Sequence, residues 1–146
     1  MSDQQAIKRT GRCLCGSVEF EIELSSPHFS ICHCGMCRRW SAGPYMTVHG
    51  KGPGRFLKSD TLSWYRGSEW AERGFCSRCG TSLFYRLAND HAAMLVASVD
   101  SLDDASGITL EQHIYIDAKP DRYEFADTCP RLTEEQVLKA FGIVPS

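Results

Sequence analysis

The clearest structural signal is an alternation of hydrophobic and polar residues near the N-terminus. In the segment 17–24, four apolar residues alternate with three glutamates. The apolar residues are Val18, Phe20, Ile22 and Leu24. A period of two is typical of a β-strand with one buried and one solvent-exposed face. We therefore expect a half-buried strand here, preceded by a loose leader over residues 1–10 and a turn from Gly11 to Gly16.

Short apolar runs bounded by turn residues continue along the chain and predict further strands. They cover residues 45–48, 57–65 (one or two strands), 73–87 (a hairpin), 92–99 (a buried strand or a short helix) and 113–116. Thr133-Glu134-Glu135-Gln136 has a capping-box pattern, which predicts a short helix over about 133–142. The expected fold is mainly β, with small antiparallel sheets and a short C-terminal helix.

Length, composition and charge narrow the possible functions. A chain of 146 residues with 42% hydrophobic content predicts a single domain, 1–146, with its core over about 10–130. A net charge of −2 does not favour a nucleic-acid or membrane-surface partner. No stretch approaches the roughly 18 apolar residues of a membrane span, and no secretory signal is recognisable. We expect a cytoplasmic protein without a membrane partner, and the sequence leads to no prediction about its oligomeric state.

Cysteine is the residue type that suggests chemistry. Seven of the eight cysteines form clusters of two, three and two, and the eighth is isolated. The clusters are Cys13 with Cys15; Cys32, Cys34 and Cys37; and Cys76 with Cys79, while Cys129 stands alone. Without a secretory signal, such clusters favour metal binding over a disulfide framework. A redox Cys-x-x-C at residues 76–79 is disfavoured because strand-like residues follow it. Glycine follows a cysteine in every cluster, at Gly16, Gly35 and Gly80, as metal-binding turns often require.

Ligand counting divides the clusters into two metal sites. A structural zinc site takes four protein ligands, whereas a catalytic zinc keeps one position open. The two outer pairs together predict a closed four-cysteine site. The central trio then has three thiolates and one position for water, a substrate or another side chain. His33, His49, His91, His113 or Cys129 are the candidates for that fourth ligand, although His33 should project away from the metal.

A basic stretch follows the central trio. Five basic residues and no acid lie between Arg38 and Lys58, whereas residues 100–135 hold ten acids and three bases. Such a stretch beside an open metal would attract a thiol that carries carboxylates, with Arg38 and Arg39 as its nearest contacts. The same charges also fit an ordinary solvated loop face.

Three motifs together resemble a known family. They are Gly11-Arg12-Cys13-Leu14-Cys15-Gly16, Cys32-His33-Cys34 through Cys37-Arg38-Arg39, and Cys76-Ser77-Arg78-Cys79-Gly80-Thr81. In order and spacing they resemble the glutathione-dependent formaldehyde-activating domain, which is shared with centromere protein V. The likeness extends through His113-Ile114-Tyr115. It implies a β-tent fold, a structural zinc on Cys13, Cys15, Cys76 and Cys79, and a catalytic-type zinc on Cys32, Cys34 and Cys37.

The resemblance also implies an activity. Members are named for the condensation of formaldehyde with glutathione to S-hydroxymethylglutathione, a reaction classed with the carbon–sulfur lyases. We therefore expect a zinc-dependent enzyme that acts on a small-molecule thiol and an aldehyde, with glutathione as a possible co-substrate. The alternative is a non-catalytic zinc module that binds a protein partner, with both metals structural. Metal content and a thiol-dependent assay separate the two hypotheses.

Overall fold

The computed structural model describes residues 7–142, and its fold is mainly β. In chain order the elements are β1 (Ile7–Arg12), β2 (Glu19–Leu24), β3 (His28–Cys32), α1 (Gly35–Ser41), β4 (Tyr45–His49), β5 (Arg55–Lys58), β6 (Leu62–Arg66), β7 (Ala71–Cys76), β8 (Ser82–Leu87), β9 (Val96–Ser98), β10 (Thr109–Ile114) and α2 (Glu134–Ala140). The predicted fold class and the C-terminal helix are confirmed. Within the described residues, no helix has the length and apolar character needed to cross a membrane.

The chain divides into two compact units. Among the described residues, the first unit takes residues 7–27 and Thr47–Ile108, and the second takes His28–Met46 and residues 109–142. Each unit is therefore assembled from two separate stretches of sequence. The single domain expected over 1–146 stays a prediction.

Antiparallel strands build the first unit. One sheet has the order β1-β2-β5, and β9, β8, β7 and β6 follow one another beside the last three residues of β4. The alternating apolar residues of the predicted strand are each at most 1% exposed, whereas its glutamates are half-buried. Phe20 of β2 meets Phe84 of β8 edge-on, with ring centroids 4.8 Å apart. The period of two therefore marked the core correctly.

The second unit contains a parallel pair of strands and both helices. Strands β3 and β10 pair in parallel, from His28 opposite Thr109 to Cys32 opposite Ile114. Only antiparallel sheets were expected, and parallel pairing requires a long connection that local patterns do not reveal. Helix α2 begins with the predicted capping box, in which Thr133 and Gln136 bond each other's main chain.

Several boundaries differ from the expectations. Strand β1 occupies part of the expected leader because Ile7–Arg12 pairs with β2 along its whole length; residues 1–6 lie outside the described part. The strand expected over 92–99 is limited to Val96–Ser98 and continues into a 3₁₀ turn at Val99–Ser101. The strand expected over 113–116 is Thr109–Ile114, and it ends because Tyr115 adopts a left-handed conformation, with φ of 56°.

Candidate metal centres

The first unit brings together the four cysteines of the two outer motifs. Cys13 directly follows β1, and Cys76 ends β7 just before the turn that carries Cys79. The four Sγ atoms all lie within 4.8 Å of one another; they belong to Cys13, Cys15, Cys76 and Cys79. The Sγ of Cys15 is 3.6 Å from that of Cys13 and 3.8 Å from that of Cys76. Zinc–sulfur bonds of about 2.3 Å in a tetrahedron place the sulfurs about 3.8 Å apart. The cluster therefore fits a tetrahedral thiolate-bound metal.

Main-chain turns shape this cluster. The amide of Gly16 donates to the Cys13 carbonyl at 3.1 Å, and the amide of Gly80 donates to the Cys76 carbonyl at 2.8 Å. Both glycines have a positive φ, 80° for Gly16 and 81° for Gly80, which other residues adopt only with strain. In each turn the chain folds back so that main-chain amides approach a cysteine sulfur. The Val18 amide, for example, donates to Cys13 Sγ at 3.3 Å.

Hydrogen bonds and burial affect the thiols of this cluster in opposite directions. The Thr81 hydroxyl, 3.1 Å from Cys79 Sγ, lowers the pKa of Cys79 to about 5. Burial, by contrast, raises the pKa of Cys13. Four sulfurs this close would repel one another if all were ionised, so a bound cation is the natural way to keep four thiolates together.

The second unit brings together the central trio. Cys32 ends β3, Cys34 caps the N-terminus of α1, and Cys37 lies in the first turn of that helix. The Cys37 amide donates to Cys34 Sγ at 3.3 Å, so a thiol takes the place of the usual Ser, Thr, Asp or Asn cap. Helix α1 was not expected from the sequence. Gly35 is its first residue and does not have a positive φ, so its role differs from that of Gly16 and Gly80.

The three sulfurs of the trio all lie within 4.8 Å of one another. No other histidine, cysteine, aspartate or glutamate among residues 7–142 brings a ligand atom within the same distance of all three. Cys32 and Cys37 are 8% and 6% exposed, and partly buried Trp40, Ile114 and Tyr115 pack against them. This cluster can also hold a metal ion, with three protein ligands.

Crowding controls ionisation in the trio. Hydrogen bonds from Cys34 and Cys37, together with burial, raise the pKa of Cys32. Ionisation of the Cys32 thiol is therefore disfavoured in the absence of a cation. A soft metal that accepts thiolates removes this penalty because coordination deprotonates the thiol. Both clusters thus have the donor chemistry that zinc prefers.

Helix α1 carries the two arginines expected to bind glutathione. Arg38 is half-buried, and its Nε donates to the His33 carbonyl at 2.9 Å, whereas Arg39 is exposed. Part of the basic stretch is neutralised locally. The Nζ of Lys51 lies 3.9 Å from Oε2 of Glu23, and the Nζ of Lys58 lies 2.9 Å from Oε2 of Glu19. These two ion pairs favour the solvated-face interpretation for that part of the stretch.

Two buried histidines lie beside the trio, and sequence reasoning did not connect them. His33 Nε2 is 2.8 Å from His113 Nδ1, and His113 Nε2 is 2.9 Å from Asp127 Oδ1. Burial and the neighbouring His113 lower the pKa of His33 to about 4. The ring of His33 thus contacts His113 and does not join the cysteine cluster, as expected. Cys129 also lies outside both clusters and donates to the Leu110 carbonyl at 3.5 Å.

Comparison with known proteins gives consistent matches. A family model described as glutathione-dependent formaldehyde-activating enzyme matches residues 8–118. A Schizosaccharomyces pombe protein, named as a lyase of uncharacterised activity, is 30% identical over 130 residues, which are 89% of this chain and 94% of that protein. A Halomonas elongata protein with the provisional name of glutathione-dependent formaldehyde-activating enzyme is 30% identical over 83 residues, 51% of this chain and 53% of that protein.

A solved structure also shares the fold. It is the crystal structure of a Rhodobacter sphaeroides protein, with a TM-score of 0.55 and 22% identity, covering 69% of this chain and 98% of that one. The family match includes all seven clustered cysteines and ends at residue 118, after His113 and before Asp127. The chain belongs to the glutathione-dependent formaldehyde-activating enzyme family.

Proposed function

We propose that the chain is a zinc-dependent enzyme of the carbon–sulfur lyase type that joins glutathione, or another small thiol, to an aldehyde such as formaldehyde. The observation that carries the proposal is the trio of Cys32, Cys34 and Cys37. Its sulfurs lie within 4.8 Å of one another, and no fourth cysteine, histidine or carboxylate joins them among residues 7–142. The family and the names of its relatives give the substrate class.

The reaction is an addition that balances without any redox partner. The thiol sulfur forms a bond to the aldehyde carbon, and the carbonyl π bond breaks onto its oxygen. The thiol proton ends on that oxygen, so formaldehyde and glutathione give S-hydroxymethylglutathione. When zinc is bound to Cys32, Cys34 and Cys37, it supplies a soft Lewis-acid position at which a substrate thiol stays deprotonated near neutral pH.

The surrounding side chains prepare the trio for this role. Tyr45 is 4% exposed and, with Trp40 and Tyr115, packs against the buried cysteines, which reduces the water around their sulfurs. Electrostatic interactions are stronger where water is excluded. Arg38 and Arg39 follow Cys37 directly on α1 and are proposed to bind the carboxylates of glutathione, because a guanidinium pairs well with a carboxylate.

The four-cysteine cluster is proposed to hold a structural zinc. Four thiolates leave no open position on a tetrahedral metal, so this site serves stability. It would tie the turn after β1 to the turn between β7 and β8. The cytoplasmic location belongs to the same proposal because a reducing compartment keeps cysteines as thiols that can bind a metal, rather than as disulfides. Small molecules, rather than nucleic acid, are the proposed partners.

The test combines metal content with an exchange measurement. The full chain should bind two zinc ions, the trio losing its metal first on titration with a chelator. Two-dimensional exchange NMR should then show faster exchange between formaldehyde and its glutathione adduct in the presence of the protein. The uncatalysed rate, measured at the same concentrations, is the reference.

Two matched variants make the test specific. Cys34→Ser removes one sulfur of the trio and should abolish the acceleration. Cys129→Ser makes the same chemical change outside both clusters and should leave the rate unchanged. If the protein binds two zinc ions but does not accelerate adduct exchange with glutathione, cysteine or coenzyme A, the result contradicts the proposed enzymatic activity. It then favours a zinc module that binds a protein partner.

A further inference from the structure

A buried chain of hydrogen bonds runs from Asp127 through His113 to His33. The contacts measure 2.9 and 3.1 Å from His113 Nε2 to the two carboxylate oxygens and 2.8 Å between the histidines. Both histidines are 0% exposed, whereas the Asp127 side chain is 21% exposed. Asp127 is itself oriented because its Oδ2 accepts the Cys129 amide at 2.9 Å. The hydrogen-bond chain is therefore held in place at Asp127, its more exposed end.

At its buried end the hydrogen-bond chain reaches His33, which lies between Cys32 and Cys34 in the sequence. The His33 amide donates to the Ile114 carbonyl at 3.0 Å, and Arg38 Nε donates to the His33 carbonyl at 2.9 Å. The ring and both main-chain polar groups of His33 are thus held. Cys32 and Cys34 are the sequence neighbours of His33. The position of the His33 main chain therefore constrains the positions of their Cα and Cβ atoms.

One atom of this arrangement has no hydrogen-bond partner. Within the described part of the chain, His33 Nδ1 is buried and receives no hydrogen bond. When His113 is neutral, its Nε2–H donates to Asp127, so its Nδ1 accepts from His33 and leaves the Nδ1 of His33 as an unused acceptor. An unsatisfied buried polar atom destabilises the folded state. An apolar ring at position 33 would avoid this cost, so packing alone does not account for the histidine.

We propose that His113 and Asp127 are positioning residues for the three-cysteine site, holding the His33 ring so that the sulfurs of Cys32 and Cys34 keep the spacing that a metal requires. The proposal rests on the proposed function in one respect, since it takes the trio to be a metal site. Groups beyond the ligands commonly orient them, and losing such a group typically costs about 10–100-fold in metal affinity. Here the effect passes through the main chain of His33, so the lower end of that range applies.

The experiment measures metal retention at the two clusters of the full-length, zinc-loaded protein. Asp127→Ala removes the acceptor, Asp127→Asn keeps an acceptor oxygen without the charge, and Asp121→Ala removes the same charge from an exposed position. Competition with a chromophoric chelator should show about tenfold weaker retention of the second zinc in Asp127→Ala. Asp127→Asn and Asp121→Ala should stay close to wild type.

Cobalt(II) gives a readout that a loss of stability alone would not change. With Co²⁺ in place of zinc, the ligand-field bands of the three-cysteine site should shift in Asp127→Ala and not in Asp127→Asn. The bands of the four-cysteine site should stay constant in every variant and report that the first unit is folded. His113→Phe is a second test variant, which keeps a ring but removes the hydrogen bonds of His113 to His33 and to Asp127. It should show the same band shift and the same weaker metal retention as Asp127→Ala.

The outcomes separate this inference from the proposed function. Wild-type affinity and unchanged bands in both Asp127→Ala and His113→Phe would overturn the inference and leave the enzyme proposal intact. Equal losses in Asp127→Ala and Asp127→Asn would also overturn it, because asparagine keeps one oxygen that can accept the hydrogen bond of His113. Failure of the wild-type trio to bind any metal would instead remove the proposed function on which the inference rests.

Discussion

Adding a single methyl group at Gly11 should lower the stability of the protein strongly, because the space around this residue is filled. The residue lies buried in β1, opposite Phe20 in register and two residues before Cys13. A Cβ built there would lie 2.4 Å from Phe20 Cζ and 2.6 Å from the Ser101 carbonyl oxygen. Gly11 does not have a positive φ, so the requirement for glycine is one of space.

The magnitude follows from how little these neighbours can move. Carbon atoms normally approach to about 3.5–4.0 Å, so a neighbour would have to shift by about 1 Å to relieve the 2.4 Å contact. Phe20 is 0% exposed and packed edge-on against Phe84, and the second contact is with main chain. Overpacking of this kind costs about 1–3 kcal/mol, and two rigid neighbours place Gly11→Ala at the upper end, about 3 kcal/mol. A chain of this size should then melt about 10 °C lower.

Urea and thermal denaturation of Gly11→Ala and wild type, followed by circular dichroism, measure this effect. Gly35→Ala is the matched control because its Cβ would meet only Arg38 Nη2, at 4.0 Å, within helix α1. That variant should be neutral or more stable by up to about 1 kcal/mol, since alanine favours the helix. A free energy of unfolding for Gly11→Ala within about 0.5 kcal/mol of wild type would refute the reasoning, since that is the range of ordinary surface substitutions.

Three further predictions concern the metal, a helix end and pH. Removing the two proposed zinc ions with a strong chelator should abolish cooperative melting, because about 10 kcal/mol of metal-linked folding energy compares with a typical total of 5–15 kcal/mol; an unchanged melting curve would contradict the proposed structural site. Ala42→Gly should stabilise the chain by about 1 kcal/mol in urea unfolding, because Ala42 ends α1 with φ of 61°; a lower stability would contradict this. The His113 hydrogen bond lowers the pKa of Asp127 below its unfolded value of about 3.9, so its stabilisation is complete above that pH and is lost as pH falls through the lower folded value. The stability difference between wild type and Asp127→Asn should therefore narrow in acid-unfolding titrations below about pH 4, and a constant difference would contradict the linkage.

Local periodicity and ligand chemistry made parts of this protein predictable. The strand β2 followed from alternation, because the side chains of a strand point alternately to its two faces. The start of α2 followed from its capping box. The grouping of the outer cysteine pairs followed from the number of ligands that a tetrahedral metal takes, and the structure places those four sulfurs together.

Other elements have no local pattern strong enough to predict them. Helix α1 has only seven residues, starts with glycine and uses a cysteine sulfur as its cap, so neither helical periodicity nor a common cap residue marks it. Strand β1 contains little apolar sequence, and it is a strand because β2 offers a complete hydrogen-bonding edge. The contact that stabilises each element is therefore one that common sequence signals do not indicate: the cysteine cap in α1 and the neighbouring strand β2 in β1.

The sequence alone therefore determined the core face of β2 and the two sets of cysteines, because both depend on residue type and spacing within a few positions. Only the tertiary structure brought His33 to His113, 80 positions away, and His113 to Asp127, 14 positions away. That contact depends on the parallel pairing of β3 with β10, which places His113 opposite Ile31. Contacts of this kind arise from the path of the whole chain, and no short stretch of sequence contains that information.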